Sequence, residues 1–132
     1  MSQAKIKDIN YNEGYDSRTY GYSQAVSVTT PQEILYISGQ VGILEPNEQR
    51  SFADQIELAY QNMEKVLQSA GMTFANVVKV TELVVGNSLE RLEAVNNKKK
   101  KLFQRFPAST YIPVDSLALP GMLFEIEAIA VR

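Results

Sequence analysis

The chain has 132 residues, 45 % of them apolar and 21 % charged, which is the composition of one globular domain. Thirteen Lys+Arg against fifteen Asp+Glu leave a formal charge of −2, without the basic footprint of a dedicated nucleic-acid binder. Cys and His both number 0, which excludes disulfides, thiol nucleophiles, Cys-ligated metal sites and every His-based triad.

Residues 9–20 are polar and Tyr-rich, and read as an irregular lead-in with a short edge strand. Tyr22 to Val28 alternates and ends in Thr29-Thr30-Pro31. Ile34-Leu35-Tyr36-Ile37-Ser38 follows as a strong strand, and the two runs predict a hairpin. Gly39 and Gly42 then mark sharp turning or close backbone approach. The first helix is the clearest element. Ser51 and Asp54 form a capping pattern, and Gly71 stands where a left-handed C-cap is wanted. Between them Ile56, Ala59, Tyr60, Met63, Val66, Leu67 and Ala70 recur at helical spacing, with Gln55, Gln61, Asn62, Glu64 and Lys65 assigned to the outer face. Val77–Val85 is a strand stopped by Gly86. A second helix opens at Asn87-Ser88 and Glu90 and runs to about Gln104, with Leu89, Leu92, Val95, Leu102 and Phe103 inward. Strands at Ser109–Val114 and Leu123–Val131 close the chain.

The order β-β-α-β-α-β-β predicts an α+β domain over residues 1–132, a two-layer fold with both helices on one face of a mixed sheet. The other face has no helix to cover it, so self-association is expected. No apolar run reaches the ~18 residues of a membrane span. The charges of Met1–Asp8 lack the apolar core of a signal peptide. The expectation is a cytoplasmic protein that touches no membrane.

Chemistry must come from carboxylates, tyrosines, lysines, arginines, hydroxyls, amides or bound water. Glu125 and Glu127 lie two apart on the last strand and share a face, while Phe124, Ile126, Ala128 and Ala130 take the other. Such a pair is either structural, at an interface or sheet edge, or supplies a general acid/base or water-positioning carboxylate. Lys98-Lys99-Lys100-Lys101 reads as a solvated helix face. Ser38-Gly39-Gln40 is a turn or a pocket wall. The tyrosines read as half-buried packing residues with wet hydroxyls. No metal-ligand cluster or phosphate loop is present, so no metal and no cofactor are expected.

The run Pro120-Gly121-Met122-Leu123-Phe124-Glu125-Ile126-Glu127-Ala128-Ile129-Ala130 resembles the signature of the RidA/YjgF (Rid) family. Tyr22-Ser23-Gln24, Ile37-Ser38-Gly39-Gln40, Asn62, Val95-Asn96 and Phe106-Pro107-Ala108 continue the likeness in order, from Tyr20 to Arg132. The resemblance implies a chorismate-mutase-like fold and a homotrimer with small-metabolite clefts between subunits. It also implies cofactor-free hydrolysis of enamines or imines to 2-oxo acids and ammonia. By position, Glu125 resembles the glutamate that orients water. Tyr22 resembles a tyrosine lining the cleft, Asn96 an asparagine near it, and Tyr111 stands where backbone groups contact ligand. Ser38 is taken as a further wall residue. An Arg that anchors the substrate carboxylate should follow Pro107-Ala108, and Ser109 stands there instead. That departure implies a divergent branch whose ligand lacks an α-carboxylate. Arg105, at a helix end, is a poor substitute, and Arg18 would have to reach from the lead-in. Two other readings stand beside the hydrolase: a non-catalytic metabolite-binding trimer, and RNA binding or cleavage, against which the acidity weighs.

Overall fold

Alternating patterns and caps in the chain build eight regular elements in a computed structural model, which describes residues 5–11, 13–14 and 16–132. They are β1 (Lys5–Ile9), β2 (Ala25–Thr29), β3 (Ile34–Val41), α1 (Phe52–Ser69), β4 (Val77–Val85), α2 (Leu89–Leu102), β5 (Ala108–Val114) and β6 (Phe124–Val131). Single 3-10 turns at Ser17–Tyr20 and Phe74–Asn76 precede β2 and β4.

Four strands form a mixed sheet in the order β3-β6-β4-β5. β6 runs antiparallel to both β3 and β4, and β5 parallel to β4. Parallel neighbours need a long crossover, and α2 supplies it. α1 links β3 to β4 and packs on β3 and β6. The helices cover one sheet face, as the patterning predicts. Ile37, Val80, Val84, Phe124, Ile126, Ala128 and Ala130 meet Ile56, Ala59, Tyr60, Met63 and Leu67 there. Aromatic rings knit the layer. Tyr60 stacks on Phe124 at 6.3 Å, and Phe74 meets Phe103 edge-on at 5.7 Å.

Ser51 and Ser88 both act as N-caps. Ser51 Oγ accepts from Asp54 N and Ser88 Oγ from Arg91 N, both at 3.1 Å. Gly71 has φ +70° and follows Ala70 at the end of α1. Gly42 lies against the α1 backbone, and a Cβ there would sit 2.1 Å from Gln55 O. Only glycine lets the two elements touch.

Several expectations are corrected. β2 does not form a hairpin with β3; it pairs antiparallel with β1 in a separate two-stranded sheet. Thr30 takes φ 51° and Pro31 has no N–H to give a ladder. The N–H groups of Gln32 and Glu33 then both bond Arg132 O, which turns the chain toward β6. β1 precedes the expected lead-in and adds a strand to the order read from sequence. Tyr22 lies outside β2. Leu89, expected inward, is 72 % exposed in the first turn of α2. Gln55, expected outward, is 0 % exposed. Its amide nitrogen donates to Arg50 O and Gly121 O, and its oxygen accepts from Leu123 N. The reading at Met1–Ala4 lies outside the described residues. Among those described, no helix is long and apolar enough to cross a membrane.

Candidate functional site

The sheet face away from the helices carries Glu125 and Glu127, because Phe124 and Ile126 take the core side. Glu125 pairs across the ladder with Leu83 and with Val41. Between Ile37 and Gln40 the register of β3 shifts by one residue, a bulge that sets Gly39 under the Glu125 carboxylate. A Cβ on Gly39 would lie 1.8 Å from Glu125 Oε2. Ser38 stands one residue before it, exposed. Ser38 and Glu125 therefore form one group.

Tyr22, Asn96, Ser109 and Tyr111 form another. They line a cleft of about 450 Å³ on the helix side of β5, together with Tyr20, Leu92, Lys99 and Thr110. Each is held by its element. Gly21 has φ +80° and turns the chain with its Cα against Asn96 O, where a Cβ would come within 3.2 Å. Ser23 then bonds the loop before β5, donating from N to Pro107 O at 3.0 Å and from Oγ to Phe106 O at 2.7 Å. Tyr22 is pinned between these two points. Tyr111 donates its hydroxyl to Asn87 Oδ1 at 2.7 Å. Burial raises the Tyr111 phenol above its ordinary value, the negative charge of Glu82 adds to this, and Arg91 opposes it.

Ser109 faces Val80 across the ladder and Tyr111 faces Glu82, so these side chains share the covered side of the sheet. Glu125 points to the opposite side. Within one chain the sequence-read site residues are thus split in two, with Ser38 and Glu125 on one face and Tyr22, Asn96, Ser109 and Tyr111 on the other.

The residues missed from sequence are Glu82 and Lys99. The lysine run does not behave as a solvated row. Lys98 pairs with Glu57 at 2.7 Å, whereas Lys99 is 1 % exposed and its Nζ lies 3.0 Å from Oε1 of Glu82, itself 0 % exposed. Ser109 Oγ accepts from Lys99 at 3.2 Å and donates to Glu82 Oε1 at 2.9 Å. The Tyr22 ring lies 5.5 Å from the ammonium. A glutamate in the middle of an apolar strand was the available signal, since a buried carboxylate demands a cation. Neither Arg considered as an anchor lines the cleft. Arg18 pairs with Asp16 at 2.9 Å, and Arg105 bonds Asp8 and Ala75 O. Nor are the tyrosines uniform: Tyr36 is 74 % exposed, and Tyr60 2 %.

The chain is thus a two-layer α+β domain with an aromatic-walled cleft beside its parallel strand pair. The match to the family described as Endoribonuclease L-PSP spans residues 17–132. The human 2-iminobutanoate/2-iminopropanoate deaminase is 38 % identical over 117 residues, which cover 84 % of this chain and 80 % of the relative. Among solved structures, YyfB of Yersinia pestis, a protein of unknown function in the conserved Rid family, has a TM-score of 0.88 at 32 % identity, covering 96 % of this chain and 98 % of its own. RidA from an Antarctic Psychrobacter has a TM-score of 0.67 at 28 % identity, covering 84 % and 88 %. The chain belongs to the Rid (RidA/YjgF) family, and its fold is the chorismate-mutase-like fold of that family.

Proposed function

We propose that this chain is a cofactor-independent hydrolase of a small imine or enamine, working in the cytoplasm in clefts completed by a second copy of itself within a homotrimer. The observation that carries the reading is the split site. Glu125 stands on the open sheet face and the cleft on the covered one, so a carboxylate can reach a cleft ligand when it comes from another copy. The open face suits such contact, for Ile34 and Tyr36 are exposed on β3 and Ile112 on β5. The relatives named as imine deaminases support the chemistry.

In this reading water adds to the C=N carbon of the bound imine, and its proton passes to nitrogen. The resulting carbinolamine expels ammonia and leaves a carbonyl product. Glu125 orients the water, accepts its proton and hands it on to the nitrogen. Asn96 and Thr110 bond the polar part of the ligand, and Tyr22 stacks on its plane. Ser109 spends its one donor on Glu82, so where an anchoring Arg would offer a charged fork the ligand meets no donor from this position. A second reading, a metabolite-binding trimer without turnover, is favoured by the paired state of Lys99, which keeps that cation from acting on a substrate.

The test is release of ammonia from imines generated in situ, by an amino-acid oxidase in one series and an amine oxidase in the other. Wild type should accelerate release in at least one series, and Glu125→Ala should abolish that acceleration. Equal turnover in Glu125→Ala removes the assignment. Saturable binding without acceleration in either series selects the binding trimer.

A further inference from the structure

A carboxylate and an ammonium are buried side by side at the base of the cleft. Glu82 sits in the middle of β4 and Lys99 in the last turn of α2, so regular backbone holds both in place. Nζ and Oε1 are 3.0 Å apart, and Ser109 Oγ closes a triangle with them. One carboxylate oxygen thus takes both donors. The other, Oε2, is buried without a hydrogen-bond partner among the described residues.

This arrangement sets what the cleft can hold. The pair sums to zero charge. A carboxylate entering the cleft would find the ammonium already engaged and an anion beside it. Displacing Glu82 would leave a buried charge unpaired, which is strongly unfavourable. The field of Glu82 is felt at the cleft wall, where it helps to hold the Tyr111 phenol in its protonated form. A ligand is left with the faces of Tyr20, Tyr22 and Tyr111, and with the neutral groups of Asn96 and Thr110. Those surfaces recognise a flat polar group without net charge.

We propose that the Glu82–Lys99 pair determines the specificity of the cleft, selecting a small uncharged imine, enamine or amide and rejecting ligands that carry a carboxylate. The inference rests on the reading of the cleft as the ligand site, and not on turnover. Glu82 acts by occupying Lys99, so releasing Lys99 should convert the preference. The relatives named for 2-iminobutanoate and 2-iminopropanoate would then differ from this chain in taking a charged ligand.

Equilibrium titration with two probes of one skeleton tests this, 2-oxobutanamide and 2-oxobutanoate. Wild type should bind the amide at least about tenfold more tightly than the acid. Glu82→Gln keeps the shape and frees the ammonium, so acid binding should rise at least about tenfold and weaken with added salt. The double variant Glu82→Leu with Lys99→Met replaces the pair by apolar groups of similar size and should keep the amide preference. Glu82→Ala, which frees the same ammonium in a smaller side chain, decides the question if Glu82→Gln fails to fold. Wild type preferring the acid, with that binding lost in the double variant, overturns the proposal. So does acid affinity unchanged in a folded Glu82→Gln, or failure of both probes to bind wild type. The readout is binding alone, so an inactive protein that prefers the amide defeats the hydrolase assignment and leaves the specificity intact.

Discussion

Tyr60 is the bulkiest of the fully buried side chains, and its hydroxyl has no hydrogen-bond partner among the described residues. Burial, and then the negative charge of Glu82, hold its phenol well above the ordinary value of 10. The unfolded chain releases that proton near pH 10 while the folded chain retains it. The unfolded state then binds fewer protons, so stability present below pH 10 is lost as pH rises further. Tyr60→Phe should be as stable as wild type at neutral pH or gain up to about 1–3 kcal/mol, because an unpartnered buried hydroxyl is removed. It should also lose stability less steeply above pH 10. Urea unfolding of both proteins across that range checks this, and identical slopes would contradict it. Gly39 gives a second residue-scale prediction. Gly39→Ala places a Cβ on the Glu125 carboxylate, which can swing aside, so the fold should survive. Turnover should fall about tenfold or more if Glu125 positions water. Unchanged turnover with an unchanged melting temperature would separate Glu125 from the chemistry. Lys99 shows why single residues were the hardest part to read. Four consecutive lysines look alike in sequence, and only the helix phase together with Glu82 on a neighbouring strand selects the second for burial.

Elements with strong local patterns were legible. The caps at Ser51 and Ser88, the apolar stripe of α1 and the two faces of β6 all follow from rules acting within a few residues. Strand pairing was not, because it depends on partners far away in the chain. The hairpin expected between β2 and β3 fails where Pro31 and the bonds from Gln32 and Glu33 to Arg132 turn the chain aside. β1 escaped notice because its Lys and Asp positions mask the alternation of Ile6 with its exposed neighbours. Gln55 is the clearest failure of polarity as a guide. Two of its three bonds tie the start of α1 to the loop before β6 and the third holds Arg50 O, which makes a buried amide cheaper than a buried leucine would be. Gln55→Leu strands those backbone groups and should cost about 2–4 kcal/mol, against about 1 kcal/mol for the exposed cap variant Ser51→Ala. Equilibrium denaturation ranks the two, and a Gln55→Leu loss no larger than the cap's would show that the loop repairs its own bonds.

At the scale of the whole molecule, the open sheet face and the split site make one argument. Sequence showed that the helices could cover one face only, which left Glu125 and Glu127 on the other. It could not show that Tyr22, Asn96, Ser109 and Tyr111 gather behind the sheet, since that needs the parallel β4–β5 pair. If copies of the chain complete each other's sites, two defective proteins should repair one another. Glu125→Ala lacks the carboxylate, and Asn96→Leu spoils the cleft. Each alone should be inactive in whichever imine series wild type accelerates. Co-expressed in equal amounts they mix at random, and one site in four unites an intact Glu125 with an intact cleft. Activity should therefore return to about a quarter of wild type. A site built within one chain gives the opposite result, because every site then carries one of the two defects and mixing restores nothing. Tyr36→Asp sets a charge on the open face and supplies the control. Sedimentation should show it shifted toward the monomer, and the same mixing experiment in that background should recover little, because the clefts persist but the carboxylate that completes them is no longer delivered.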